Sequence, residues 1–293
     1  MKRFSKGQTI NFYSSTNKPK YFINLDESVI VEVNDCYDGQ IKTEKDLRSN
    51  IDIEKMNLAT GPIYIDSLKS GDTLCIEIID IQINDYGIMV VSPGLGPLGS
   101  HVIKPSTKIV PIINDQVIFN GNIVIQTTPM IGVIGVAPKV GEIHTSIPGS
   151  HGGNLDTKDI KSGNKIYFPV FVDGALVAIG DLHGAMGDGE LSGTGLETSG
   201  EVTVKFTKHE SVIQNPLIED DSSFYFIASD TTYDKAINTA LFNAVECIKN
   251  KRGLTFEDSY RLLSLACDLK VSQIVNKLVT VRVMVPKIIL PSV

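Results

Sequence analysis

Lys165-Ile-Tyr-Phe-Pro-Val-Phe-Val172, then Asp173-Gly174, then Ala175-Leu-Val-Ala-Ile-Gly180 is the stretch whose reading decides the fold. Two short runs of β-branched, aromatic and other apolar residues flank an Asp-Gly pair, which favours the positive backbone angles of a tight turn. The stretch reads as strand, turn, strand. The second strand runs directly into Gly180-Asp-Leu-His-Gly-Ala-Met-Gly-Asp-Gly-Glu-Leu-Ser-Gly-Thr-Gly195, in which six of sixteen residues are glycine. Glycine lets a ligand approach the backbone closely, at a cost in folding entropy. That pliable segment carries Asp181, His183, Asp188 and Glu190. An extended Asp181-Leu182-His183 puts both polar side chains on one face, because side chains alternate along a strand.

Working outward, the same texture covers the first 230 residues. Val29, Val31 and Val33 alternate within Ser28 to Asn34, which ends at the turn-like Asp35-Cys36-Tyr37-Asp38-Gly39. Gly61-Pro62 is a breaker before another strand, and Thr73 to Ile83 is a long β-branched run. Asn120-Gly121 separates two apolar segments as a type I′ hairpin turn would. Met130 to Val136 reads as a strand, and residues 137 to 164 as a long loop with His144, His151 and Asp156. Glu201 to Thr207, Ser223 to Ala228 and Leu278 to Val285 complete the strands.

After residue 230 the period changes. Ile237, Ala240, Leu241, Ala244, Val245 and Ile248 recur at helical spacing behind a Thr231/Asp234 capping box. Thr255 to Leu269 repeats the pattern behind Thr255/Asp258, with Gly253 between the two helices. The expectation is one mainly β domain over residues 1–293, with a small helical part at about 231–270 packed on it.

Composition bounds the function. The net charge is −7, and no basic patch with interleaved aromatics suggests nucleic acid. No apolar run is long enough to span a bilayer. Four scattered cysteines with no Cys-x-x-Cys pair, and no apolar leader, point to a reducing cytoplasm.

Among five histidines, His183 stands out because Asp181 lies two residues away. Asp-x-His on an extended backbone can give two ligands to one cation, and zinc takes this ligand pair in catalytic sites. Carboxylates at Asp35, Asp188 and Glu190 would also suit a harder cation such as calcium. The alternative is that Asp181 only orients His183. No Gly-x-Ser-x-Gly elbow exists. The one cysteine open to a nucleophile reading is Cys36, beside Asp35, and for it a packed thiol is the favoured reading.

Four segments in order, Gly132-Val-Ile-Gly-Val-Ala-Pro138, Pro148-Gly-Ser-His-Gly-Gly-Asn-Leu-Asp156, Phe168-Pro-Val-Phe-Val-Asp-Gly-Ala-Leu176 and Gly180 to Glu190, resemble the acetamidase/formamidase family. Asp35-Cys36-Tyr37, Thr60-Gly61-Pro62 and Tyr260 to Leu269 support the resemblance. It implies a β-sandwich-like fold, with jelly-roll or CUB-like sheets and a small C-terminal helical hairpin. It implies hydrolysis of short linear amides to carboxylate and ammonia, a divalent metal (zinc or calcium), and a homodimer or larger homo-oligomer. On that basis Asp35, Asp181 and His183 are the expected metal ligands. Glu190, with Glu142 as substitute, is the expected general base, and His151 the donor to departing ammonia. The competing readings are a metal-stabilised binding module without turnover, and an amidohydrolase for a larger or cyclic amide.

Overall fold

Ser28–Val33 shows how the frame is built. Val29, Val31 and Val33 are fully buried while Ser28, Ile30 and Glu32 stay half-buried, as alternation along a strand requires. This computed structural model describes residues 1–293. Such strands assemble into two large sheets. The first has nine strands in the order Lys2–Phe4, Ser28–Val33, Gly200–His209, Thr73–Ile83, Lys165–Pro169, Leu217–Glu219, Ser223–Asp230, Val279–Pro286, Asp268–Gln273.

The second sheet has eleven strands, and its middle carries the site. Val177–His183 pairs along one edge with Met130–Gly135. Its other edge is shared, with Ala59–Ile65 against the first half and Glu197–Thr198 against the last two residues. Beyond Glu197–Thr198 the sheet continues through Tyr86–Val91, Ser106–Ile113, Gln116–Ile118 and Val124–Gln126. A core of 30 buried residues joins the sheets, with Ile76, Val204 and Phe206 from one and Ile63, Ile179 and Leu182 from the other. Each such side chain contributes about 1.5–3 kcal/mol by leaving water. The mainly β sandwich expected from sequence is therefore found.

Two helices cover part of the first sheet. α1 (Tyr233–Arg252) lays Ala236, Ala240, Ala244, Val245 and Ile248 on Ser223–Asp230 and Val279–Pro286. Its cap is Thr232, whose side chain accepts from Lys235 N, one residue later than the spacing predicted. Thr231 instead donates to the Asp230 carboxylate. Gly253, at φ +66°, closes α1 in the left-handed conformation common at helix ends. Thr255 caps α2 (Phe256–Ala266) as predicted, but α2 stops at Ala266 because Asp268–Gln273 leaves as a sheet-edge strand.

Two turns differ from expectation. Asn120-Gly121 does lie in a hairpin between Gln116–Ile118 and Val124–Gln126, but the loop spans residues 119–123. Asp173-Gly174 closes no hairpin. Lys165–Pro169 pairs with Thr73–Ile83 and Leu217–Glu219 in the first sheet, whereas Val177–His183 lies in the second. Gly174, Ala175 and Leu176 all have positive φ, and this left-handed run carries the chain from one sheet to the other. The Asp173 carboxylate accepts from Ser70 N and Lys69 Nζ, fastening the crossing to a neighbouring turn.

Candidate active site

The end of Val177–His183 departs from simple alternation. Asp181 has φ +58°, an uncommon conformation for a residue with a side chain. Leu182 still enters the core, while Asp181 Oδ1 and His183 Nε2 approach to 3.3 Å. The prediction that these two side chains share a face holds, through a left-handed residue. Two glycines make room for them. A Cβ on Gly132, on the paired strand, would stand 2.7 Å from Asp156 Oδ1 and 2.7 Å from Asp181 Oδ2. A Cβ on Gly195 would stand 2.6 Å from His183 Nδ1.

Three further carboxylates complete the group. Glu197 lies opposite His183 on the neighbouring strand and brings Oε1 to 3.3 Å from Nε2. Asp156, in the left-handed region at φ +40°, brings Oδ1 to 4.0 Å from the same nitrogen. Glu190 has a carboxylate oxygen within 4.8 Å of ligand atoms of both Asp156 and His183. The Cys36 thiol stands equally close to Asp181 and Glu197. All six side chains are buried.

The loop that delivers Glu190 is tied down. Asp188 accepts from Arg282 Nη2 at 2.7 Å and pairs with Lys158 at 3.1 Å. Arg282 is fully buried and also donates to Asp159 at 2.6 Å. Asp188, which the sequence offered as a possible ligand, is thus spent as an anchor. On the other side Asn276 donates to Asp156 Oδ2 at 2.8 Å, and Gln273 holds the backbone N–H of Val275 and Asn276.

The electrostatics follow from burying four carboxylates around one imidazole. Burial disfavours protonated His183, yet Glu197 and Asp181 outweigh it and raise its pKa well above the usual value. Burial acts upward on Asp181, but His183 prevails and holds it below its usual range. Burial and then the Asp181 charge push Asp156 up to about 7. Burial pushes Glu197 up to about 8 against the pull of His183. Glu190 is raised well above its usual value by burial and by Asp156.

The donor set fits a cation. Asp156 Oδ1, Asp181 Oδ1, Glu197 Oε2 and His183 Nδ1 are buried without any hydrogen-bond partner. Unpartnered buried acceptors are costly, and paired carboxylates with imidazole suit a divalent ion. The two 3.3 Å separations around His183 Nε2 are not hydrogen bonds in their geometry. They match the roughly 3.3–3.4 Å edge of a tetrahedron with ~2.0–2.1 Å bonds.

Asp181, Glu190, Glu197 and Cys36 line one cavity of about 460 Å³. Of the residues singled out in the sequence, Asp181, His183 and Glu190 are brought together, and three others are not. The Asp35 carboxylate accepts from Tyr37 N, Gly39 N and Ser199 Oγ, so it shapes the turn and does not join the cluster. What this turn contributes is Cys36 and Tyr37. His151 O bonds Val136 N, six residues along the strand from Met130, which pairs with His183. No ligand atom of His151 joins the groups of acids, thiol and imidazole gathered around Asp181 and His183. Its ring packs edge-on against Tyr13, and burial lowers its pKa to about 4. Glu142 is exposed on a two-stranded ribbon with Phe12–Ser14, outside the cavity that His144 lines. Cys36 is buried, as the favoured packed-thiol reading expects, and burial and then Glu197 raise its pKa well above the usual value.

Sequence reasoning missed Glu197 as a site residue. It lies fourteen positions beyond His183 in a two-residue strand with no periodicity of its own. Asp156 stood inside a quoted motif, but nothing in its flanks marked it as a ligand.

The description of the Acetamidase/Formamidase family matches residues 11–143 and 140–291, so the chain belongs to that family. It is similar to an acetamidase from Bacillus halodurans, whose crystal structure superposes with a TM-score of 0.96 at 44% identity, covering 97% of each chain. A predicted acetamidase/formamidase from Thermoanaerobacter tengcongensis gives a TM-score of 0.96 at 38% identity, over 99% of this chain and 96% of that one. A formamidase from Methylophilus methylotrophus is 26% identical, over 60% of this chain and 58% of its own. The chain thus spans about 60% of the length of the curated formamidases it matches.

Proposed function

We propose that the protein is a metal-assisted amidase that hydrolyses the C–N bond of small linear amides to carboxylate and ammonia. The observation that carries the reading is the convergence of Asp156, Asp181, His183, Glu190 and Glu197 beside one cavity, with buried acceptors left unpartnered. Family membership supports the same bond type.

His183, Asp181 and Glu197 are the residues that would hold the ion, with Asp156 beside them. When bound, a divalent cation polarises an amide carbonyl and makes a water more acidic. The imidazole in the set favours zinc over calcium, which prefers oxygen ligands alone.

The chain's own groups do the rest. Glu190 lines the cavity beside the cluster, where its carboxylate can take a proton from water and give it up again. Water adds to the carbonyl carbon, Glu190 returns the proton to nitrogen, the C–N bond breaks, and ammonia leaves. Proton delivery matters because an unprotonated amide nitrogen is a poor leaving group. Asn57 Oδ1 and Asn154 Oδ1 are buried, unpartnered and line the cavity, placed to accept from the amide NH2. The test is ammonia release from formamide, acetamide and longer amides. Turnover that disappears in Glu190→Gln supports the reading, and no turnover of any amide overturns it.

A further inference from the structure

Ser272 to Leu278 is a short segment that touches the buried cluster's supports at two points. Gln273 is fully buried and uses both ends of its amide. Its Oε1 accepts from Val275 N and Asn276 N, each at 2.9 Å. Its Nε2 donates to Leu278 O at 2.6 Å and to Thr280 Oγ1 at 2.9 Å. The loop is closed around this one side chain.

The first point of contact is Asp156. Asn276 Nδ2 donates to Asp156 Oδ2 at 2.8 Å and reaches Asn154 O at 3.4 Å. Asp156 Oδ1 has no hydrogen-bond partner and lies 4.0 Å from His183 Nε2. The last torsion of an aspartate is broad and roughly two-fold, so a bond to one oxygen fixes where the other points. The second point is the loop of Glu190. Gly189 N donates to Ser272 O at 2.9 Å, and Ile274 N donates to Gly189 O at 3.2 Å. One segment thus holds an acid of the cluster and the backbone beside the general base.

We propose that Asn276, held by Gln273, is a positioning residue for the ion site: by tying Asp156 Oδ2 it commits Oδ1 to the cluster. This rests on the reading of the cluster as a metal site. Asn276 also lines the cavity, so the test separates contact with substrate from action through Asp156.

The test is a double-mutant cycle read on zinc affinity, measured by chelator competition without substrate. Asn276→Ala should weaken zinc by about 10–100-fold, as loss of an outer partner does. In the Asp156→Ala background the same change should cost less than about threefold, because residues that act through each other are not additive. Gln273→Ala, which frees the backbone of Asn276, should weaken zinc in the same direction. In Asn276→Ala the metal-free melting temperature should stay close to wild type, and kcat should fall more than KM rises. Unchanged zinc affinity in Asn276→Ala or Gln273→Ala overturns the role, as does an equal loss in both backgrounds. A rise in KM alone makes Asn276 a substrate contact and also overturns it. If the wild type takes up no zinc, the metal reading fails by itself, and the same cycle read on kcat for ammonia release decides the positioning role. A wild type with neither zinc nor turnover overturns both.

Discussion

Glu197 lies directly opposite His183 on neighbouring antiparallel strands, and its Oε1 comes within 3.3 Å of the imidazole Nε2. Directly opposed residues on one sheet face have the shortest side-chain separations. The pairing therefore holds an acid and an imidazole together by backbone hydrogen bonds, without help from a loop. Glu197→Gln keeps the shape and removes the charge. The expected result is a loss of bound metal and a fall in kcat/KM beyond the ~10–100-fold typical of a lost outer partner. Metal content and kcat/KM on the same preparation check it.

Asp35→Asn should behave differently. Its carboxylate serves Tyr37 N, Gly39 N and Ser199 Oγ. Weakening these bonds should cost about 1–3 kcal/mol of stability while metal content is retained. Denaturant melts beside elemental analysis separate the two effects, and loss of metal would return Asp35 to the ligand set.

Gly132→Ala tests the crowding between Asp156 and Asp181. The added methyl would stand 2.7 Å from an oxygen of each carboxylate. Overpacking of this kind costs about 1–3 kcal/mol, so the fold should survive. Activity should drop far more than stability, because the carboxylates must separate. Unchanged activity would mean that their spacing is not critical.

His151 offers a pH test. Burial lowers its pKa from near 6.5 to about 4 in the folded chain. Between these values the unfolded chain binds the proton and the folded chain does not, so stability falls as pH drops from 6.5 toward 4. At ~1.4 kcal/mol per unit the full effect is about 3 kcal/mol, and it is absent above pH 6.5. His151→Gln should remove that portion of the pH slope and leave turnover near the wild-type level. A large loss of turnover at pH 7.5 would restore His151 to the mechanism.

Arg282 is fully buried between Asp159 and Asp188. Arg282→Met leaves buried charge uncompensated, which costs about 3–5 kcal/mol. It also frees the loop that carries Glu190, so kcat should fall with the melting temperature. Stability without change would mean that the pair contributes little.

Much of the frame was legible because each strand carries its own signal. Val29, Val31 and Val33 mark a half-buried strand whatever they pair with, and Thr255 marks a helix start by its side-chain cap. Pairing was less legible. Asp173-Gly174 has the local chemistry of a hairpin, but which sheet the next strand joins depends on residues far away. The site divides the same way. Asp181 and His183 could be read from spacing within one strand. Glu197 and Asp156 reach His183 across strand registers that no local pattern encodes. His151 and Glu142 lie in the right loop by sequence, yet that loop turns Asn154 and His144 toward the cavity and Asp156 toward His183 in their place.

The central claim is that the buried group around His183 is a metal-dependent amide-hydrolysing centre. Ammonia release from acetamide, measured before and after exhaustive chelation and again after adding back zinc, tests it most directly. The account predicts loss of turnover on chelation and its return with metal in the wild type, with no return in Glu197→Gln. Full turnover by protein shown to be metal-free would contradict it.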